Sequence, residues 1–183
     1  MSRDDEIEAS TIGEVVRHDA PITLVDYDSG WPMLFELEET RIRGALGDDA
    51  VVLQHTGSTS VPGLSAKPII DMTLGVPDSA DEAAYVPRLE AAGYVLRIRE
   101  PDWFEHRLFK GPDTNVNLHV FTAGSPEIAR MVAFRDHLRA DAEDRALYER
   151  TKRRLAATTW RFVQDYADAK SDVVAEIMSR AMP

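Results

Sequence analysis

Cysteine is absent from the 183-residue chain. That excludes disulfide staples, thiolate zinc sites and thiol nucleophiles. No apolar run approaches the roughly 18 residues that cross a bilayer. The acidic start, MSRDDEIEAS, lacks the apolar centre of a signal peptide. A cytoplasmic location with no membrane partner is the expectation. Basic charge is scarce: 21 Lys and Arg stand against 32 Asp and Glu, a formal net charge of −11. A duplex binder needs a basic face, so no bulk nucleic acid partner is expected. A small anion can still occupy a local basic pocket. Neither Gly nor Pro occurs between Pro126 and Pro183, so the last third reads as helix. No repeat or interdomain linker divides the chain, and nothing in it encodes an oligomeric state.

Hydrophobic content of 44% suits one domain with a full core. Residues 1–20 read as a mobile tail with at most a short helix near Ile12–Arg17, and residues 21–183 as that single domain. Ile22–Val25 suggests an edge strand. Ser29 or Gly30 caps a helix with Pro32 in its first turn and Leu34, Leu37, Ile42 and Leu46 on its apolar stripe. Val51–His55 and Ile69–Val76 predict strands. Asp78–Ala92 predicts a helix interrupted or kinked at Pro87. Strands follow at Tyr94–Ile98, Trp103–Phe109 and Asn115–Phe121. Helices then open near Pro126, near Asp144 (to Thr159) and near Arg161 (to Ala181). The pattern predicts an α+β fold: a mixed β-sheet of four or five strands flanked by helices, with a helical C-terminal third.

The chemistry concentrates in His55–Gly75, HTGSTSVPGLSAKPIIDMTLG. Backbone N–H groups of a Gly/Ser turn entering a helix attract anions. Gly57, Ser58, Thr59 and Ser60 are therefore candidates to cradle phosphate; such a string is also an ordinary connecting turn. It is not a Walker loop, because no Gly-Lys-Ser/Thr follows at the required spacing. Asp71 sits in an apolar strand, where a carboxylate is costly unless paired or bound. It shares a face with Ile69, Thr73 and Gly75, opposite the apolar set Ile70, Met72, Leu74 and Val76. His119 shares a face with Asn115, Asn117 and Phe121. Should the two strands be neighbours, Asp71, Asn117 and His119 could hold a hard metal such as Mg²⁺, though not zinc. Lys67, Arg107 and Lys152 are the candidate phosphate neutralisers. The planar fork of Arg107 suits phosphate or carboxylate. His106 alternates with Phe104 and Leu108 and reads as packing.

The run HTGSTSVPGLSAKPIID (His55–Asp71) resembles the GrpB family of small bacterial proteins. The likeness continues through FEHRLF (Phe104–Phe109), NLHVF (Asn117–Phe121), FRDHLR (Phe134–Arg139), YERTKRRLA (Tyr148–Ala156) and YADAK (Tyr166–Lys170). It spans about residues 22–180. The resemblance implies a nucleotidyltransferase-like fold with the Asp71 and Asn117–His119 strands adjacent. In that wider pattern a Gly-Ser at a helix start is followed by Asp-x-Asp/Glu. Gly57-Ser58 and Asp71 match it, and Thr73 departs from it where a second carboxylate belongs. The implied function is binding of a nucleotide or phosphorylated small molecule with Mg²⁺. Asp71 and His119 would be catalytic and would transfer a nucleotidyl group to a small-molecule acceptor. The alternative is a catalytically degenerate, nucleotide-binding accessory module linked to coenzyme A metabolism, because related domains occur fused to dephospho-coenzyme A kinase.

Overall fold

The computed structural model describes residues 3–182. Its strands are β1 (Val52–Thr56), β2 (Ile70–Val76), β3 (Val95–Glu100), β4 (His106–Lys110) and β5 (Val116–Thr122). They form one five-stranded sheet in the order β1-β2-β5-β4-β3. β2 and β5 pair in parallel and every other pair is antiparallel. The helices are α1 (Arg3–Ser10), α2 (Trp31–Leu46), α3 (Glu82–Ala91), α4 (Pro126–Ala140), α5 (Ala142–Ala156), α6 (Val163–Asp168) and α7 (Ser171–Ala181). The architecture is the expected α+β class. No helix among the described residues is long and apolar enough to cross a membrane.

The two sheet faces have different tasks. Alternation along β2 and β5 sends Ile70, Met72, Leu74, Val116, Leu118 and Val120 to one face. There they bury against Trp31, Ile42 and Leu46 of α2 and Tyr85 and Leu89 of α3. The other face carries Asp71 and Thr73 opposite Asn117 and His119 in register. Helix α4 covers the upper part of this face, with the Thr73 hydroxyl 3.3 Å from the Met131 sulfur. Ser125 caps α4 with Pro126 in the first turn, and Asp141 caps α5 by accepting from the N–H groups of Glu143 and Asp144 at 2.9 Å. Helices α5 and α7 then pack on the Val61–Leu64 end of the glycine-serine loop. The C-terminal third thereby walls the lower part of the polar face.

Several expectations need correction. The N-terminal helix is α1, not residues 12–17; the Ile12 N–H instead donates to Arg97 O on β3 at 2.7 Å. Residues 22–25 form no sheet strand, only an isolated bridge from Val25 to Ala66. Leu37 faces solvent. Pro87 stays inside α3. The strand expected from Trp103 starts later, at His106. Residues 101–105 make a turn in which Phe104 and Glu105 take φ of +53° and +51°, a region that non-glycine residues enter rarely. The expected single helix from Arg161 to Ala181 is broken near Lys170. Tyr166 packs with Ile22 and Ala156, while Val173 and Ile177 pack with Leu138 and Tyr148. One straight helix does not serve both surfaces.

Candidate anion-binding site

The turn between β1 and β2 meets the Asp71 carboxylate. Gly57 takes φ +67° and ψ −173°, and Ser58–Ser60 form one 3₁₀ turn. The turn's own bonds use the N–H groups of Ser60 and Val61. The first two N–H groups of such a turn have no partner within it. Asp71 Oδ1 accepts from Asn117 Nδ2 at 2.8 Å. The side chain of Asp71 stays 30% exposed, so a ligand can reach it. Burial pushes its carboxyl upward. A charged His119, then the hydrogen bond from Asn117 and the charge of Lys67, outweigh burial and hold it below the usual carboxylate range.

Lysines supply the opposite charge. Lys152, though on a charged helix, is buried. Its ammonium donates to Ser58 Oγ at 2.7 Å and to Ser65 O at 2.6 Å. It also lies 5.3 Å from the Tyr148 ring centre. Burial, then the charge of Lys170, push Lys152 down to about 7. Lys170 and Lys67 sit over the Tyr166 ring at 4.5 and 5.6 Å. Burial lowers both below the ordinary lysine range, and the Asp71 charge opposes that fall. Lys110, at the exposed margin, donates to Asn117 Oδ1. The Tyr166 hydroxyl is buried and has no hydrogen-bond partner among the described residues. Sequence reading takes Lys170 for solvated surface and leaves Lys110, Tyr148 and Tyr166 out of the site. Tyr148 and Tyr166 opened two of the matching segments and were the available signal.

Gly57, Ser58, Lys67, Asp71, Asn117, His119 and Lys152 are thus brought together. Arg107 is not. It opposes Val120 across β4 and β5 and so lies on the core face. Its Nε donates to Glu82 at 2.5 Å, and its terminal nitrogens reach Glu105 Oε2 at 3.2 and 3.3 Å. Those carboxylates saturate its fork. Thr59 and Ser60 belong to the turn, but their hydroxyls point inward, to Ile69 O at 3.1 Å and Gly57 O at 2.6 Å. These hydroxyls brace the loop, and of the two residues only Thr59 keeps an N–H that the turn itself does not use.

On the far side of Asp71 a row of imidazoles runs to the sheet edge. His119 Nε2 stands 3.9 Å from Asp71 Oδ1. His119 Nδ1 is 3.0 Å from His106 Nε2, and His106 Nδ1 is 2.7 Å from Glu100 Oε2. His106 therefore does more than pack.

A magnesium ion does not fit these groups. Mg²⁺ needs a near-octahedral shell of oxygens. Asn117 gives its oxygen to Lys110 and its nitrogen to Asp71. His119 Nδ1 is taken by His106. Thr73 fills the place of a second carboxylate, fully buried under α4 with its hydroxyl 2.8 Å from that of Thr56. One carboxylate among several ammonium groups is a poor cation site. Elsewhere, His137, Asp141 and Asp144 cluster tightly, but Asp141 caps α5 and both Asp144 oxygens are held by Arg180. A groove of about 510 Å³ bordered by Phe35, His55 and Arg139 lies on the β1 side of the loop.

Fold and site together define an α+β protein with a cluster of lysines around a single carboxylate at one end of a mixed sheet. The chain belongs to the GrpB protein family, whose sequence profile matches residues 21–180. It is 62% identical over 178 residues to a UPF0157 protein of Halalkalibacterium halodurans, covering 97% of this chain and 91% of that one. The crystal structure of the conserved protein GrpB from Enterococcus faecalis superposes with a TM-score of 0.72 at 26% identity, covering 87% of this chain and 96% of that chain. A dephospho-CoA kinase of Mycolicibacterium paratuberculosis is 29% identical over 160 residues, covering 73% of this chain and 39% of that longer protein.

Proposed function

We propose that the lysine cluster around Asp71 binds the phosphate groups of a nucleotide or another phosphorylated small molecule, and that ammonium groups rather than a metal neutralise them. The observation behind this reading is the gathering of Lys67, Lys152 and Lys170 around one carboxylate, each within electrostatic reach of Asp71. Like charges held close repel in the ligand-free cluster, and a polyanion relieves that repulsion. Ser58 and the open start of its turn add donors. A buried tyrosine hydroxyl without a partner costs about 1–3 kcal/mol, and a ligand oxygen at Tyr166 would recover it. The similarity to a segment of a protein named dephospho-CoA kinase directs the choice of ligands toward coenzyme A precursors. The reading favours a binding module over a metal-dependent nucleotidyltransferase, because the buried Thr73 supplies no second carboxylate for a paired-metal site.

Thermal shift and titration calorimetry with pyrophosphate, ATP and dephospho-CoA, each with EDTA or with MgCl₂, test this. Stabilisation in EDTA, weakened at least about tenfold in Kd by Lys152→Met or Lys170→Met, is expected. No stabilisation by any of the three ligands refutes phosphate binding. Stabilisation only with MgCl₂ refutes the metal-free reading.

A further inference from the structure

The contact between Glu100 and His106 fixes the direction of every hydrogen bond in the imidazole row. An ionised carboxylate only accepts, so His106 Nδ1 must carry the proton at 2.7 Å from Glu100. His106 is 2% exposed, stacked on Phe121 at 4.9 Å and edge-on to Trp103 at 4.8 Å. These contacts lock its ring, and burial pushes its pKa down to about 4, so it is neutral. Its Nε2 is then a bare acceptor. The group 3.0 Å away, His119 Nδ1, must donate to it. A neutral His119 consequently holds its proton on Nδ1 and leaves Nε2 bare. The opposite pattern would set His106 Nδ1 lone pair against Glu100 lone pair at 2.7 Å. Its only return would be an Asp71 contact at 3.9 Å, too long for a hydrogen bond.

We infer that Glu100 and His106 are positioning residues that set the tautomer of His119, making His119 Nε2 a proton-accepting site for a ligand hydroxyl beside the partly exposed Asp71. Nε2 lies 3.9 Å from Asp71 Oδ1, so a ligand hydroxyl seated beside this pair, not between them, can donate to the imidazole. If the proton transfers fully, the O–H bond breaks, its electron pair stays on the ligand oxygen, and an N–H bond forms at Nε2. The resulting imidazolium faces the Asp71 carboxylate. The identity of the ligand rests on the phosphate reading; the proton pattern rests only on the three contacts.

The test is ¹⁵N-histidine NMR of the whole, ligand-free protein above pH 7, with His119 and His106 assigned by single substitution. Nδ1-protonated His119 with a bare Nε2 is expected. Glu100 is partly exposed, and Glu100→Met removes the acceptor for His106 Nδ1, so this variant releases the constraint. Its His119 should move toward the Nε2–H form. A wild-type His119 protonated at Nε2, or a tautomer unchanged in Glu100→Met, overturns the inference. Pyrophosphate affinity, measured on the same samples, reports separately: its absence would sink the phosphate reading and leave the tautomer result standing.

Discussion

Gly57 and Asp71 meet as backbone against carboxylate. A β-carbon built on Gly57 would fall 2.7 Å from the Asp71 β-carbon and nearer still to its Oδ2. With φ at +67°, position 57 excludes other residues twice, by strain and by space. Gly57→Ala should lower the unfolding free energy by about 3 kcal/mol, adding backbone strain to overpacking. Gly63 is the control: its φ is +79°, but a β-carbon there meets nothing within 4 Å. Gly63→Ala should lose only about 1 kcal/mol. Urea unfolding of both variants decides. Equal losses would show that the Asp71 contact adds nothing.

Arg107 should matter for stability and not for ligand. It is 4% exposed and its partners lie on the core face. Arg107→Met removes the buried member of an ion pair whose partner Glu82 is partly exposed and should lower stability by about 2 kcal/mol, while pyrophosphate affinity stays within about twofold. Chemical denaturation and calorimetry on one preparation separate the two effects. A large loss of affinity with intact stability would put Arg107 back in the site.

Glu82 makes the same cluster acid-sensitive. Hydrogen bonding to Arg99, then to Arg107, outweighs burial and holds its carboxyl at about 2 instead of 4.5. A depressed carboxylate stabilises the fold above its unfolded pKa and loses that stabilisation as pH falls through the folded one. The wild type should therefore lose stability between about pH 4.5 and 2 more steeply than Glu82→Gln. Thermal melts across that range measure the difference, and parallel curves would remove Glu82 from the acid transition.

How far the sequence foretells this arrangement depends on whether each feature is local. Alternation along Ile70–Val76 and Val116–Thr122 shows in the apolar pattern itself, and an aspartate amid that pattern is visible at once. The face on which Arg107 lies is not visible, because the strand does not begin at Trp103. A turn with two left-handed residues intervenes, and alternation says only which residues share a side. The inward hydroxyls of Thr59 and Ser60 depend on loop curvature that no residue spacing encodes. The lysine cluster is least legible of all. Lys152 meets Ser58 across 94 positions, and Lys170 enters only because the last helix breaks beside it. On a helical wheel both lysines look like solvated surface. Their burial belongs to the packing of α5, α6 and α7 on the loop.

That burial gives Lys152 a pH signature with a definite sign. Burial and the neighbouring Lys170 bring its ammonium from 10.5 down to about 7. Between those values the unfolded chain holds more protons than the folded one, so the ligand-free protein gains stability as pH rises from about 7 to 10.5. Ligand affinity has the opposite slope. A phosphate favours the charged lysine, so the lysine's contribution is full below about pH 7 and falls as pH rises above it, by at most about tenfold per unit. Pyrophosphate ionises further over the same range, but equally for every variant. The difference between wild-type and Lys152→Met titration curves from pH 6 to 9 therefore isolates the lysine. Wild-type affinity should exceed the variant's most at low pH and converge on it as pH rises. Curves that stay parallel throughout would mean that Lys152 holds Ser58 and Ser65 in place without sensing the ligand's charge.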